Sequence, residues 1–215
     1  MPNQTVVLAA LVYSMLGLPA TLSERLQALG LRQTDRVIVV RVKDQKLLLF
    51  ENGRLKKEYP VSTAQNGVGE RVDSYQTPLG LHRVKEKLGA KLPPGAILEN
   101  REFKGELWIP PATAERSEKT GPAPGDGSKT AAPALPDLIT SRILWLEGLE
   151  PGRNAGSDKE GRLVDSYQRF IYIHGTNHEA EVGKPTSRGC VRMKNAEVIQ
   201  LFDLVEEGDL VWIEE

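Results

Sequence analysis

The residues able to do covalent chemistry are gathered in one stretch, His174 to Met193, which reads HGTNHEAEVGKPTSRGCVRM. It contains Cys190, the single cysteine of the 215-residue chain, and two of the three histidines, His174 and His178. A thiol is nucleophilic as thiolate, and an imidazole within hydrogen-bond reach is the usual means of taking its proton near neutral pH. His174 and Cys190 are far enough apart in the chain that they meet only if the connection doubles back, and Gly175, Gly183, Pro185 and Gly189 supply turn chemistry for that. If they meet, the imidazole takes the thiol proton and later returns one to a leaving amine. Gly189 lets the backbone come close, so the amides of Gly189 and Cys190 are candidates to bind the oxyanion of a tetrahedral intermediate, and acyl transfer is the reaction class. The alternative for Cys190 is a buried structural thiol, common for a free cysteine.

Composition narrows the field. The formal net charge is −1, with 28 basic and 29 acidic side chains mixed along the chain, so no basic stripe suggests a nucleic-acid partner. One cysteine excludes an intrachain disulfide and leaves no thiol cluster for structural zinc, and no cofactor or metal is expected. The run Val6 to Leu18 is short of the roughly 20 apolar residues of a membrane span. It fits the apolar core of a secretory signal, although no Lys or Arg precedes it, and it fits equally a buried helix. Export or membrane association through this run is therefore left open.

The elements that must position the pair follow from periodicity. Thr21-Leu22-Ser23-Glu24 has capping-box spacing, and Leu22, Leu26 and Leu29 recur at helical intervals before Gly30. Val37 to Val42 is a β-branched first strand on which Ile38, Val40 and Val42 share a face. Lys46 to Phe50, the Asn52-Gly53 turn and a strand near Leu55 to Ser62 complete an antiparallel meander. A loop over Ala64 to Tyr75 leads through the turn Thr77-Pro78-Leu79-Gly80 into a strand at Leu81 to Val84, where His82 reads as a half-buried strand histidine. Further strands are predicted at Glu106 to Ile109, Ile139 to Leu146, Gln168 to His174 and Leu210 to Ile213. On the strand before the turn, Phe170, Tyr172 and His174 share one face, so His174 sits at a strand end where it is held rigidly. Val198, Leu201, Phe202 and Val205 mark an amphipathic helix with Asn195 as its N-cap. Residues 110–136, rich in Pro, Ala, Gly and Ser, read as a surface excursion, with a lid over the site as the alternative. The organisation expected is an N-terminal run and short helix over 1–35 and a mostly β domain with short helices over 36–215.

Taken together, Ile173-His174-Gly175-Thr176, Val182-Gly183 and Ser187-Arg188-Gly189-Cys190-Val191-Arg192-Met193 resemble the signature of the L,D-transpeptidase catalytic domain family. Thr77-Pro78-Leu79-Gly80 is similar to the T-P-x-G turn of that family, and Tyr59 to Thr63 to the strand before it. The resemblance implies a β-sandwich-like catalytic fold acting on peptidoglycan stem peptides. Cys190 would attack the diamino acid carbonyl of a stem tetrapeptide, release the terminal D-alanine and form a thioester, which an amine of a neighbouring stem or of an outer-membrane lipoprotein resolves. His174 would be proton acceptor and donor. Ser187, Gly189 and Arg192 would shape the substrate site, Arg192 as a fork for a carboxylate, with Arg188, Tyr172 and Gly175 beside them. The implied location is the periplasm or cell envelope. Many members carry histidine where this chain has Arg188, and a cation there is expected to lower the thiol pKa. His178 reads either as a group near substrate or as a loop histidine without a role. A carboxypeptidase or amidase using water, and a non-catalytic wall-binding module, are the alternative functions.

Overall fold

Val37 to Val40 and Leu47 to Phe50 are apolar at every position, a pattern suited to strands covered on both faces. The computed structural model, which describes residues 18–110 and 136–215, bears this out: all eight of these residues are buried. The apolar run at the N-terminus, Leu18 apart, and nearly all of the 110–136 excursion lie outside the described residues. Strands β1 (Arg36–Arg41), β2 (Lys46–Glu51) and β3 (Arg54–Pro60) form the expected antiparallel meander. Asn52 and Gly53 both adopt positive φ (50° and 75°), the hand that a two-residue hairpin turn requires.

The described chain adds helices α1 (Ala20–Ala28) and α2 (Asn195–Leu204) and strands β4 (Gly80–Leu88), β5 (Ala96–Glu99), β6 (Glu102–Leu107), β7 (Ile139–Gly148), β8 (Tyr172–Thr176), β9 (Val191–Met193) and β10 (Leu210–Glu214). The fold is mostly β with short helices. Its strands run in the order β3-β2-β1-β10-β4-β7-β5-β6, and β8 and β9 branch from β7. The last strand, β10, sits parallel to β1 and antiparallel to β4. On one face Ile38, Val40, Leu49, Ile173, Val191 and Met193 pack on Val198, Leu201 and Phe202 of α2. On the other, Val37, Val39, Leu48 and Trp212 pack on Leu22 and Leu26 of α1. Each fully buried side chain of this size contributes about 1.5–3 kcal/mol.

Four local expectations are corrected. Helix α1 starts directly after Pro19, whose fixed φ suits a helix entry, so Thr21 lies inside the first turn and makes no capping bond. Asn195 is not a cap either: Lys194 holds that position, and Asn195 is buried within the first turn of α2. Strand β8 begins only at Tyr172, because the Asp165 carboxylate accepts from the Gln168 amide (3.0 Å) and starts a turn that ends at Phe170, φ 57°. The region before Trp108 is a β5–β6 hairpin rather than a strand at Glu106 to Ile109. Its turn residues Asn100 (φ 49°) and Arg101 (φ 70°) carry no glycine to announce it.

His82 is fully buried on β4, with Nδ1 at 3.0 Å from the Gly80 carbonyl and Nε2 at 3.0 Å from Ser166 Oγ. Burial, helped by Arg153 and Arg169, holds its pKa down at about 4, so the ring folds neutral. A histidine whose folded pKa is depressed contributes stability that is present above its unfolded value, about 6.5, and lost as pH falls toward 4. Melting temperature should therefore drop between pH 6.5 and 5, with a shallower slope in His82→Gln; equal slopes in scanning calorimetry would show that another group carries the dependence.

Candidate active site

Two backbones running side by side build the site. β8 and β9 pair in parallel with Ile173 beside Val191 and His174 beside Arg192, which leaves Tyr172 beside Cys190. Side chains alternate along a strand, so Ile173 and Val191 enter the core while Tyr172, His174, Cys190 and Arg192 share the opposite face. Cys190 directly precedes β9, so its thiol and the His174 imidazole open onto the same face of the β8–β9 pair. The sequence-predicted pair is brought together on one face.

The thiol of Cys190 is partly exposed. It donates to the Phe170 carbonyl (3.3 Å) and receives the Tyr172 amide N–H (3.4 Å). His174 is 3% exposed, and its Nδ1 lies 2.8 Å from the Gly175 carbonyl. A carbonyl only accepts, so Nδ1 carries the proton and Nε2 is left as the proton acceptor. No hydrogen bond joins Cys190 to His174 among the described residues.

Burial dominates the electrostatics of both groups. It pushes the thiol pKa up, against the Tyr172 amide and the cations Arg192 and Arg169, with Asp137 adding to the rise. It pushes the His174 pKa down, against the Gly175 contact. The resting pair is therefore neutral thiol and neutral imidazole. This corrects the expectation for Arg188: its side chain is exposed, it lines a cleft of about 350 Å³ with Gln65, Asn66, Tyr75 and Ser187, and the cations that act on the thiol are Arg169 and Arg192.

The turn that carries Cys190 is tied down residue by residue. Ser187 Oγ donates to the Cys190 carbonyl (2.6 Å) and accepts from the Gly189 amide (3.2 Å). The segment after β3 runs alongside, pairing Ser62 with Arg192 and Ala64 with Ser187. Thr77 Oγ1 donates to the Gly189 carbonyl (2.9 Å) and accepts from the Ala64 amide (3.0 Å), which gives the threonine of the T-P-x-G turn a direct part in the site. Gly189 has φ 129°, a region that side-chain-bearing residues rarely adopt, so a substitution there is strained by the backbone even though a Cβ would meet the Gln76 carbonyl and Ile171 only at 3.4 Å. Of the two candidate oxyanion donors, the Gly189 amide is occupied by Ser187. The Cys190 amide makes no hydrogen bond among the described residues.

The remaining candidates divide. Arg192 is buried, and its guanidinium is paired with Asp137. Tyr172 is buried edge-on against Trp145 (5.4 Å) and near the His174 ring (6.5 Å). Gly175, expected to meet substrate, is instead interior: a Cβ there would lie 2.5 Å from the Thr140 carbonyl, and the residue serves the site through its own carbonyl. His178 stands apart, 3.6 Å from Glu181. A larger cavity of about 590 Å³ lies between α1 and β10 and contains none of these residues.

Several positioning residues escape sequence reading. Asn195 accepts from Thr140 Oγ1 (2.7 Å) and Ser141 Oγ and donates to the Thr176 carbonyl (3.0 Å) and Glu179 (2.8 Å), bracing β7 against β8 behind His174. Arg169 holds the carbonyls of Gly69 and Gln76 beside the turn that carries Cys190. A helix-start asparagine was the only signal for the first, and nothing local marks the second.

A family model described as the L,D-transpeptidase catalytic domain matches residues 35–213. The putative L,D-transpeptidase YkuD of Bacillus subtilis is 51% identical over 61 residues, covering 28% of this chain and 37% of that protein. The probable L,D-transpeptidase ErfK/SrfK of Salmonella typhimurium is 31% identical over 115 residues, covering 53% of this chain and 29% of that protein. Among solved structures, an L,D-transpeptidase from Mycobacterium smegmatis aligns over 84% of this chain and 59% of its own, with 12% identity and a TM-score of 0.45. The matches span less than two thirds of the length of each of these relatives.

Two measurements check this geometry. With its pKa raised, Cys190 should react with iodoacetamide at pH 7 at least tenfold more slowly than free cysteine, accelerating as pH rises beyond 9; fast alkylation with an apparent pKa below 7 would contradict a neutral pair. Thr77→Val keeps the shape but leaves the Ala64 amide and the Gly189 carbonyl without a partner, so a loss of about 1–3 kcal/mol in denaturant unfolding is expected.

Proposed function

Because this chain belongs to the L,D-transpeptidase catalytic domain family, we propose that it forms a thioester between Cys190 and a peptidoglycan stem tetrapeptide and passes the acyl group to an amine. The observation that carries this reading is the β8–β9 register, which sets the thiol and the unprotonated Nε2 of His174 on one face. Rotation about the Cα–Cβ bond of Cys190 would exchange the Phe170 carbonyl for the imidazole. His174 Nε2 then takes the thiol proton as Sγ bonds to the substrate carbonyl carbon, and the Cys190 amide faces the developing oxyanion. The carbon–nitrogen bond to D-alanine breaks as His174 returns that proton to the leaving amine. In the second half an acceptor amine gives its proton to His174 and attacks the thioester, and the proton returns to sulfur as the carbon–sulfur bond breaks. A neutral pair suits this sequence, because charge appears only when substrate is in place and water is displaced.

The acceptor amine belongs to a second stem peptide or to a lipoprotein, and the reaction belongs in the cell envelope, where both occur. Incubation with a tetrapeptide or a carbapenem should add one acyl mass to the wild type and none to Cys190→Ala. His174→Gln should acylate roughly 10² to 10⁴-fold more slowly. No adduct on the wild type, where a related enzyme reacts, would sink the proposal. Product analysis with and without an acceptor stem peptide separates transfer to an amine from hydrolysis.

A further inference from the structure

The β5–β6 hairpin turns at Asn100 and Arg101, both in the left-handed region. Asparagine tolerates that conformation, whereas for arginine it is uncommon. The turn sets the Arg101 guanidinium over the rings of Trp145 (4.8 Å) and Phe170 (5.2 Å), with Nη1 3.5 Å from Tyr172 Oη. The aromatic shelf beneath it is itself fixed. Trp145 stacks on Tyr167 (4.1 Å), and its indole N–H donates to the Tyr167 carbonyl (3.0 Å). This shelf belongs to the thiol site, since the backbones of Phe170 and Tyr172 are the groups that hold Cys190 Sγ.

The other arginines around the thiol are occupied or turned away. Arg192 is paired with Asp137, Arg169 donates to backbone carbonyls, and Arg188 is exposed at the cleft lined by Gln65, Asn66, Tyr75 and Ser187. Arg101 makes no ion pair among the described residues. Glu86, whose charge it feels, accepts instead from Tyr167 Oη. A guanidinium held over aromatic rings keeps N–H groups free at its edge, and such a fork can receive a carboxylate through two parallel hydrogen bonds.

We propose that Arg101, presented by the β5–β6 turn over Trp145 and Phe170, binds a carboxylate of the acyl-donor peptide and so selects donors beside Cys190. The assignment rests on the thioester reading above and gives it a specificity residue in place of the buried Arg192. Its test uses donor tetrapeptides in which each carboxylate is converted in turn to the carboxamide, with KM for thioester formation followed by intact mass. In the wild type, one of these amides should raise KM about tenfold or more, the scale of a charge-assisted bidentate contact. Arg101→Asn, which keeps a residue tolerant of positive φ, should bind that acid and its amide alike, and Arg101→Lys should recover part of the discrimination. A purely structural Arg101 would instead weaken all donors by one common factor, and that result, or discrimination unchanged in Arg101→Asn, would overturn the assignment while leaving the thioester reading intact. A wild type that forms no thioester with any donor would remove that reading, and the assignment with it.

Discussion

Between β8 and β9 two backbones run the same way, in register, and everything chemical in this molecule follows from which residues that register sets side by side. Ile173, Val191 and Met193 are buried against α2, and anchoring them in the core fixes the opposite face, the one that carries Tyr172, His174, Cys190 and Arg192. A slip of one residue would send the histidine into the core and the isoleucine into the site. Hydrophobic packing on one side of two short strands thus specifies the juxtaposition of thiol and imidazole on the other. That juxtaposition buries the imidazole and half-covers the thiol, and the loss of water favours the neutral form of each.

The supports of this arrangement are hydrogen bonds to backbone more than contacts between the thiol and the imidazole. The Gly175 carbonyl sets the tautomer of the imidazole, the Phe170 carbonyl and Tyr172 amide hold the sulfur, and Ser187 and Thr77 hold the turn on which the sulfur sits. Behind them, Asn195 satisfies groups of β7 and β8 at the point where the register of β7 shifts between Thr140 and Ile143. A buried polar group of this kind is costly to remove because each partner is left unsatisfied. The site is therefore braced by residues other than the thiol and the imidazole themselves.

How much of this was legible in the sequence depended on whether the signal was local. The meander was, because Asn52-Gly53 and the apolar runs on either side of it act over a few residues. So were Cys190 and His174, as the rare side chains of one stretch, and helix α2, whose Val198, Leu201 and Phe202 are buried as their spacing implied. The β5–β6 hairpin was not, since Asn100-Arg101 lacks the glycine that usually announces such a turn. The end of the Gln168 to His174 run was misjudged because the Asp165 carboxylate outweighs the strand propensity of Phe170. The protonation of the thiol was misjudged as well: charge next to Cys190 in sequence is not charge next to it in space, and the degree of burial is a property of the whole fold.

The place of β10 has a consequence for how the molecule is made. β10 lies in the middle of the sheet, between β1 and β4, and supplies the hydrogen bonds that join the meander to the half carrying Cys190. A nascent chain still short of Leu210 holds two half-sheets with facing unpaired edges, which are open to pairing with other chains. Assembly of this centre must wait for β10 to join β1 and β4, so its rate is tied to contacts between segments far apart in sequence, the slow kind.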